Sequence, residues 1–126
     1  LPQALPALLA AHRLSERAAR VGFDWQSPDQ VQAKVEEEFD ELRRAREASD
    51  ADAIAWELGD LLFAISNLAR HLGTCAEDLL RSANQRFADR FKLVEKYAAE
   101  RGIDLERADI ELLESLWQEA KQHAKQ

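Results

Sequence analysis

The sequence carries a single cysteine, Cys75, so no disulfide can close within one chain and no cysteine-based zinc site can assemble. A lone thiol suits a reducing cytoplasm. Proline and glycine are scarce, at 3 and 4 in 126 residues, which leaves few places where a helix must break. No apolar run approaches the ~18–20 residues that a membrane span needs. A charged leader followed by an apolar stretch is missing, so no secretory signal is read, and the chain starts at Leu1, as a processed product or an excised domain does. Basic residues number 17 against 24 acids, and the net charge of −7 disfavours a nucleic-acid polymer as partner. It does not disfavour a nucleotide whose phosphates arrive with a divalent cation.

What is present favours helix. Ala, Leu, Glu and Arg dominate a composition that is 46% hydrophobic and 33% charged, enough apolar material for one domain spanning 1–126 with its own core. Ser27-Pro28-Asp29-Gln30 reads as a helix start, with Ser27 as cap and Gln30 completing a capping box. Thr74-Cys75-Ala76-Glu77 reads as a second box, directly after Gly73, which stops the preceding helix. Gly102 stops another, and Asp104 is the expected cap of the next. Five helices follow, over residues 4–21, 28–47, 51–72, 75–100 and 105–124. Short connections make neighbours antiparallel, so the fold class is all-α, a helical bundle of about five helices. No β-like alternation, repeat or low-complexity segment is present.

Acids cluster twice. On the second helix a wheel at about 100° per residue puts Val31, Val35 and Leu42 on the core side. Glu36 and Asp40 face water, while Glu38 and Glu41 lie at the core edge in one stripe with Lys34 and Ala45; Glu37 lies just outside. Such a run is ordinarily a solvated face. The third helix argues otherwise. Its main apolar face is Ile54, Leu58, Leu61, Leu62, Ile65, Leu68, Ala69 and Leu72, and beside it runs a narrow stripe of Glu57, Asp60, Ala64, Asn67 and His71. Trp56 and Phe63 lie beyond the stripe, so its carboxylates have apolar surface on both sides. Buried carboxylates are paired or bound to cations, which leaves a structural salt bridge or a metal site. Residues three apart share a helix face, so two adjacent helices would gather four carboxylates. Hard oxygen donors suit Mg²⁺, with Mn²⁺ as a substitute. A di-iron bundle requires Glu-x-x-His motifs, and His12, His71 and His123 form none.

The run Glu37-Glu38-Phe39-Asp40-Glu41, then 15 residues, then Glu57-Leu58-Gly59-Asp60, resembles the signature of the MazG family of nucleoside triphosphate pyrophosphohydrolases. The segments Val21-Gly22-Phe23-Asp24-Trp25, Leu58 to Phe63, Asn67 to Gly73 and Ala83-Asn84-Gln85-Arg86-Phe87 are similar to that family too, and the likeness runs from about residue 5 to about 122. It is nearest to the C-terminal catalytic domain of two-domain members. The resemblance implies hydrolysis of an NTP or dNTP to monophosphate and pyrophosphate by in-line attack of water at the α-phosphorus. It implies Glu38, Glu41, Glu57 and Asp60 as Mg²⁺ ligands, with Glu37 as a residue of the ligand shell or one that helps orient water. It implies Arg86, Arg90, Trp117, Lys121 and Lys34 as substrate-binding residues. Two departures stand out: Trp56 occupies a place where relatives often carry an acid, and Arg86 one where they often carry Lys.

Read from the residues alone, Arg86 and Arg90 fall among Leu79, Ala83, Phe87, Val94 and Tyr97, where arginines pair with acids or snorkel. Trp117 and Trp25 are by default packing residues. His71 reads as structural and Cys75 has no evident role. The surplus apolar face of Trp56 and Phe63 predicts a homodimer with a four-helix-type core. The alternatives are a non-catalytic helical interaction module whose acids bind a basic partner, or a specialised relative acting on dUTP, dCTP or phosphoribosyl-ATP.

Overall fold

The computed structural model describes residues 4–124. Five helices and no strand occur among the described residues: α1 (Ala7–Arg20), α2 (Pro28–Glu47), α3 (Ala51–His71), α4 (Ala76–Glu100) and α5 (Ile110–Ala124). The all-α expectation stands. No helix is long and apolar enough to cross a membrane.

The helix ends follow one chemical rule. After α1, α3 and α4 a glycine takes a left-handed backbone, with φ of 85° at Gly22, 78° at Gly73 and 66° at Gly102. The next residue then donates back to the helix, as in Phe23 N to Ala18 O at 3.1 Å, Thr74 N to Ala69 O at 2.9 Å and Ile103 N to Ala98 O at 2.8 Å. This is the Schellman arrangement, which satisfies carbonyls that a helix end leaves free. The end of α2 closes the same way through Asp50 N to Ala45 O, yet its left-handed residue is Ser49, at φ 53°. A side chain there is strained, since only glycine escapes the Cβ clash.

The starts of α2, α3 and α5 are capped by short polar side chains. Ser27 accepts from Gln30 N ahead of Pro28, and the Gln30 side chain returns to Gln26 N at 2.8 Å, one residue earlier than a standard box requires. Asp50 caps α3 through Ala53 N. The start of α5 corrects the sequence reading. Asp104 accepts from Glu106 N only two residues on, and Arg107 N donates to the Asp104 carbonyl, so residues 105–107 form a turn. The helix begins after Asp109, which accepts from Leu112 N at 2.8 Å.

The chain divides into two compact units, residues 1–79 and 80–126. In the first, residues 48–50 turn α3 back along α2, and α1 also packs on α3. Val31, Glu38, Leu42 and Ala45 of α2 are buried, with Ala64, Ser66 and Ala69 of α3 and Ser15 of α1. In the second, Val94 of α4 meets Leu116 and Ala120 of α5, with Leu93, Tyr97, Ile103, Leu105 and Trp117 around them. Arg101 clamps Glu119 with two hydrogen bonds of 2.9 and 2.6 Å and lies over the Tyr97 ring.

The apolar face of α3 is a second correction. Leu58, Leu62, Ile65 and Leu72, expected inside, are exposed, at 56% for Leu62 and 61% for Leu72. The stripe of Glu57, Asp60, Ala64, Asn67 and His71 is the more buried side. A wheel ranks faces by hydrophobicity alone, whereas α2 packs against the narrow stripe, where small Ala64 allows close approach.

Candidate metal centre

One turn of α2 and one turn of α3 supply the acids. Glu38, Glu41 and Glu57 each offer a carboxylate oxygen within 4.8 Å of the other two. Glu38 is only 5% exposed, while Glu41 and Glu57 are half-buried. The Oε2 atoms of Glu38 and Glu57 are buried and have no hydrogen-bond partner among the described residues. Asp60 falls outside that tight group of three. It lines, together with Lys34 and Glu38, a cleft of about 310 Å³ completed by Trp25, Val31, Phe63, Ala64 and Asn67.

The electrostatics are lopsided. Lys34 Nζ stands 3.0 Å from Glu38 and 3.4 Å from Glu37, and these carboxylates, Glu38 first, hold the ammonium above its ordinary pKa. Glu37 is otherwise exposed, and Asp40 is spent on Arg43 at 3.0 Å. Loss of water pushes the Glu57 carboxyl up from its ordinary value, as do its contact with Glu41 and the charges of Glu41, Glu38 and Asp60. Crowded carboxylates of this kind hold a proton or a cation between them. Two buried oxygens without donors, in an all-oxygen set, fit a hard divalent ion.

Apart from Lys34, the expected basic and aromatic residues lie in the second unit. The Arg90 guanidinium sits 5.9 Å from the centre of the Trp117 ring, and its Nε is buried without a partner among the described residues. Trp117 is tilted against Phe87 at 5.1 Å, and Phe87 stacks on Phe91. Lys121 is half-buried one turn further along α5, whereas Arg86 is exposed on α4.

A polar cluster escaped the sequence reading. Asp24, in the α1–α2 connection, receives Arg70 Nη2 at 2.6 Å and Trp25 N at 2.8 Å, with His71 Nε2 at 2.8 Å from the same oxygen. The Arg70 bond, with help from His71 and the Trp25 amide, takes the Asp24 carboxyl from 3.8 down to about 2. Arg70 also donates to Asn67 Oδ1 twice, from Nε at 3.0 Å and Nη2 at 2.8 Å. This group borders a second cleft of about 350 Å³, lined by Leu14, Ala18, Phe23, Trp25 and Phe63 among others. Trp25, Phe63 and Asn67 line both clefts. The only signal in the sequence was that Asp24 and Arg70 lie in two of the segments carrying the family resemblance; no spacing links residues 46 apart.

Comparison with known proteins meets this geometry. The phosphoribosyl-ATP pyrophosphohydrolase family model matches residues 10–87, which hold all the carboxylates and both clefts. The nucleoside triphosphate pyrophosphohydrolase of Escherichia coli K12 is 47% identical over 123 residues, covering 96% of this chain and 47% of that protein. The nucleoside triphosphate pyrophosphohydrolase/pyrophosphatase MazG of Thermotoga maritima is 44% identical over 117 residues, covering 93% of this chain and 45% of its own length. The chain thus spans about half the length of these curated relatives.

Proposed function

The chain belongs to the phosphoribosyl-ATP pyrophosphohydrolase family, among its MazG-like members, and on that premise we propose that it hydrolyses nucleoside triphosphates to monophosphate and pyrophosphate. The observation that carries the reading is the carboxylate group of Glu38, Glu41 and Glu57, with two buried oxygens left without donors. A non-catalytic surface for a basic partner would present its acids to solvent, whereas Glu38 is buried and Glu41 and Glu57 are half-buried.

Glu38, Glu41, Glu57 and Asp60 would hold Mg²⁺, or Mn²⁺ in its stead. When bound, the ion lowers the pKa of water and neutralises charge on phosphate oxygens. The residues of the chain do the remainder. Glu37 or Glu38 accepts the proton of the attacking water, and Lys34 adds positive charge at the cleft. Arg86, Arg90, Trp117 and Lys121 are proposed as substrate-binding residues from their chemistry on α4 and α5. Residues 1–126 act as one MazG-like domain in this reading, in the cytoplasm. A second copy of the chain covers the apolar surface that Trp56, 73% exposed, and Phe63 present two turns apart on α3, and gives the homodimer. A monomer in sedimentation at micromolar concentration would contradict the dimer.

The family description favours one second reading, phosphoribosyl-ATP as the substrate. One experiment covers both: the common NTPs and dNTPs and phosphoribosyl-ATP are each supplied with Mg²⁺, and the products are separated. Pyrophosphate from the simple triphosphates supports the first reading, and from phosphoribosyl-ATP alone the second. Orthophosphate or no product refutes both.

A further inference from the structure

The hydrogen bonds around Arg70 determine which way the Asn67 amide faces. An arginine has only donors, so the atom it grips twice must be the amide oxygen. The other end, Nδ2, is left without a hydrogen-bond partner among the described residues, on a side chain that lines both clefts. Arg70 cannot easily release its hold, because Asp24 anchors it at 2.6 Å and Asp24 is itself fixed by the Trp25 amide. The Asn67 amide therefore offers a donor and no acceptor. Trp25 and Phe63, two aromatic side chains, line both clefts as well. The carboxylates Glu38 and Asp60 line one of those same clefts.

We propose that Asn67 is a specificity-determining residue that donates from Nδ2 to an acceptor on a nucleobase packed against Trp25 and Phe63, with Arg70 and Asp24 as its positioning residues. The proposal rests on the nucleotide reading given above. A planar heteroaromatic ring fits two aromatic walls, and a single fixed donor distinguishes a ring carbonyl from an amino group at the same edge. A free amide would read both, since it can turn its oxygen outward. The clamp removes that freedom.

The substitution Asn67→Asp tests the polarity with almost no change of shape. One carboxylate oxygen stays on Arg70, and the other turns the donor into an acceptor. The ratio of kcat/KM for CTP to that for UTP, which differ in an amino against a keto group, should rise by about tenfold, the worth of one hydrogen bond. Asn67→Ala, the control should the charged variant fold poorly, should bring the ratio towards one. Arg70→Lys should do the same by freeing the amide, with kcat on the better substrate kept, a split that mere loss of structure would not give. The same ratio is read without metal from the affinities for CMP and UMP by calorimetry. Triphosphate turnover with a ratio that Asn67→Asp leaves unmoved overturns the subsite alone. Base-dependent binding of the monophosphates that inverts in Asn67→Asp, without turnover of any triphosphate, upholds the subsite and overturns the catalytic reading. Neither binding nor turnover overturns both.

Discussion

Two polar clusters in the first unit are close neighbours in the fold and opposite in their chemistry. Around Glu38, Glu41 and Glu57, carboxylates outnumber donors and two buried oxygens have none. Around Asp24, donors outnumber acceptors: one carboxylate oxygen serves Arg70, the Trp25 amide and His71, and Arg70 has enough left over for Asn67. The first cluster raises the pKa of Glu57, and the second lowers that of Asp24 to about 2. A set of groups that cannot satisfy itself is prepared for a ligand. One whose charged groups hold each other is prepared to keep something still. The two kinds of pKa shift therefore separate a binding centre from a scaffold that positions side chains beside it.

The largest effect should come from removing charge at the unsatisfied cluster. Glu38→Gln or Asp60→Asn should cut turnover by at least about a hundredfold, while the melting temperature of Asp60→Asn stays put or rises because it removes repulsion; Glu38→Gln also gives up the ion pair with Lys34. Near-normal activity in both variants would break the contrast at its stronger end.

Divalent cation should then stabilise the protein in a pH-dependent way. At a hundred times its dissociation constant, Mg²⁺ adds about 2.7 kcal/mol to the folded state, a shift of several degrees at pH 7.5. Glu57 takes up its proton above 4.5, so the ion competes with that proton sooner than with an ordinary carboxyl. Thermal scans should show the gain shrinking as pH falls towards the carboxylate range, and an equal gain at both ends of the range would contradict the shared-proton picture.

The satisfied cluster should also lose stability in acid, but through a depressed rather than a raised carboxyl. Asp24 has a folded pKa depressed below 3.8, so its contribution is fully present above that value and is lost as pH falls through about 2. Asp24→Asn should flatten this acid limb of the stability curve. Arg70→Met should cost more, about 1–3 kcal/mol, because it takes the guanidinium from Asp24 and Asn67 together. Chemical denaturation at pH 7 and pH 3 reads both. The smallest change lies outside either cluster: Ser49→Gly should add about 0.5–1 kcal/mol by relieving the left-handed serine, measured by the same method.

Much of this was legible in the residue order. The α2 boundaries follow from Ser27, Pro28 and Gln30, and the stops of α3 and α4 from Gly73 and Gly102, because caps and left-handed turns are local chemistry. The α5 start was misjudged by five residues since an aspartate caps a helix and closes a short turn with the same oxygen; Asp104 does the second and Asp109 the first. The wheel found the acids worth examining, but it turned α3 the wrong way. It had no means of knowing that α2 packs on the stripe of Glu57 and Ala64 and leaves Leu58, Leu62 and Ile65 bare.

By itself, the sequence determined the helices, most of their ends and the candidate acids of α2 and α3. Each of these depends on residues within about one turn of each other, where side-chain spacing and backbone preference suffice. Only the tertiary structure decided which acids share a centre, with Asp60 in the adjoining cleft rather than in the tight group of three. It alone joined Asp24 to Arg70 and so fixed the Asn67 amide. Those outcomes depend on which helix faces meet, and that choice minimises the burial of unpaired groups across the whole unit rather than along any one stretch of chain.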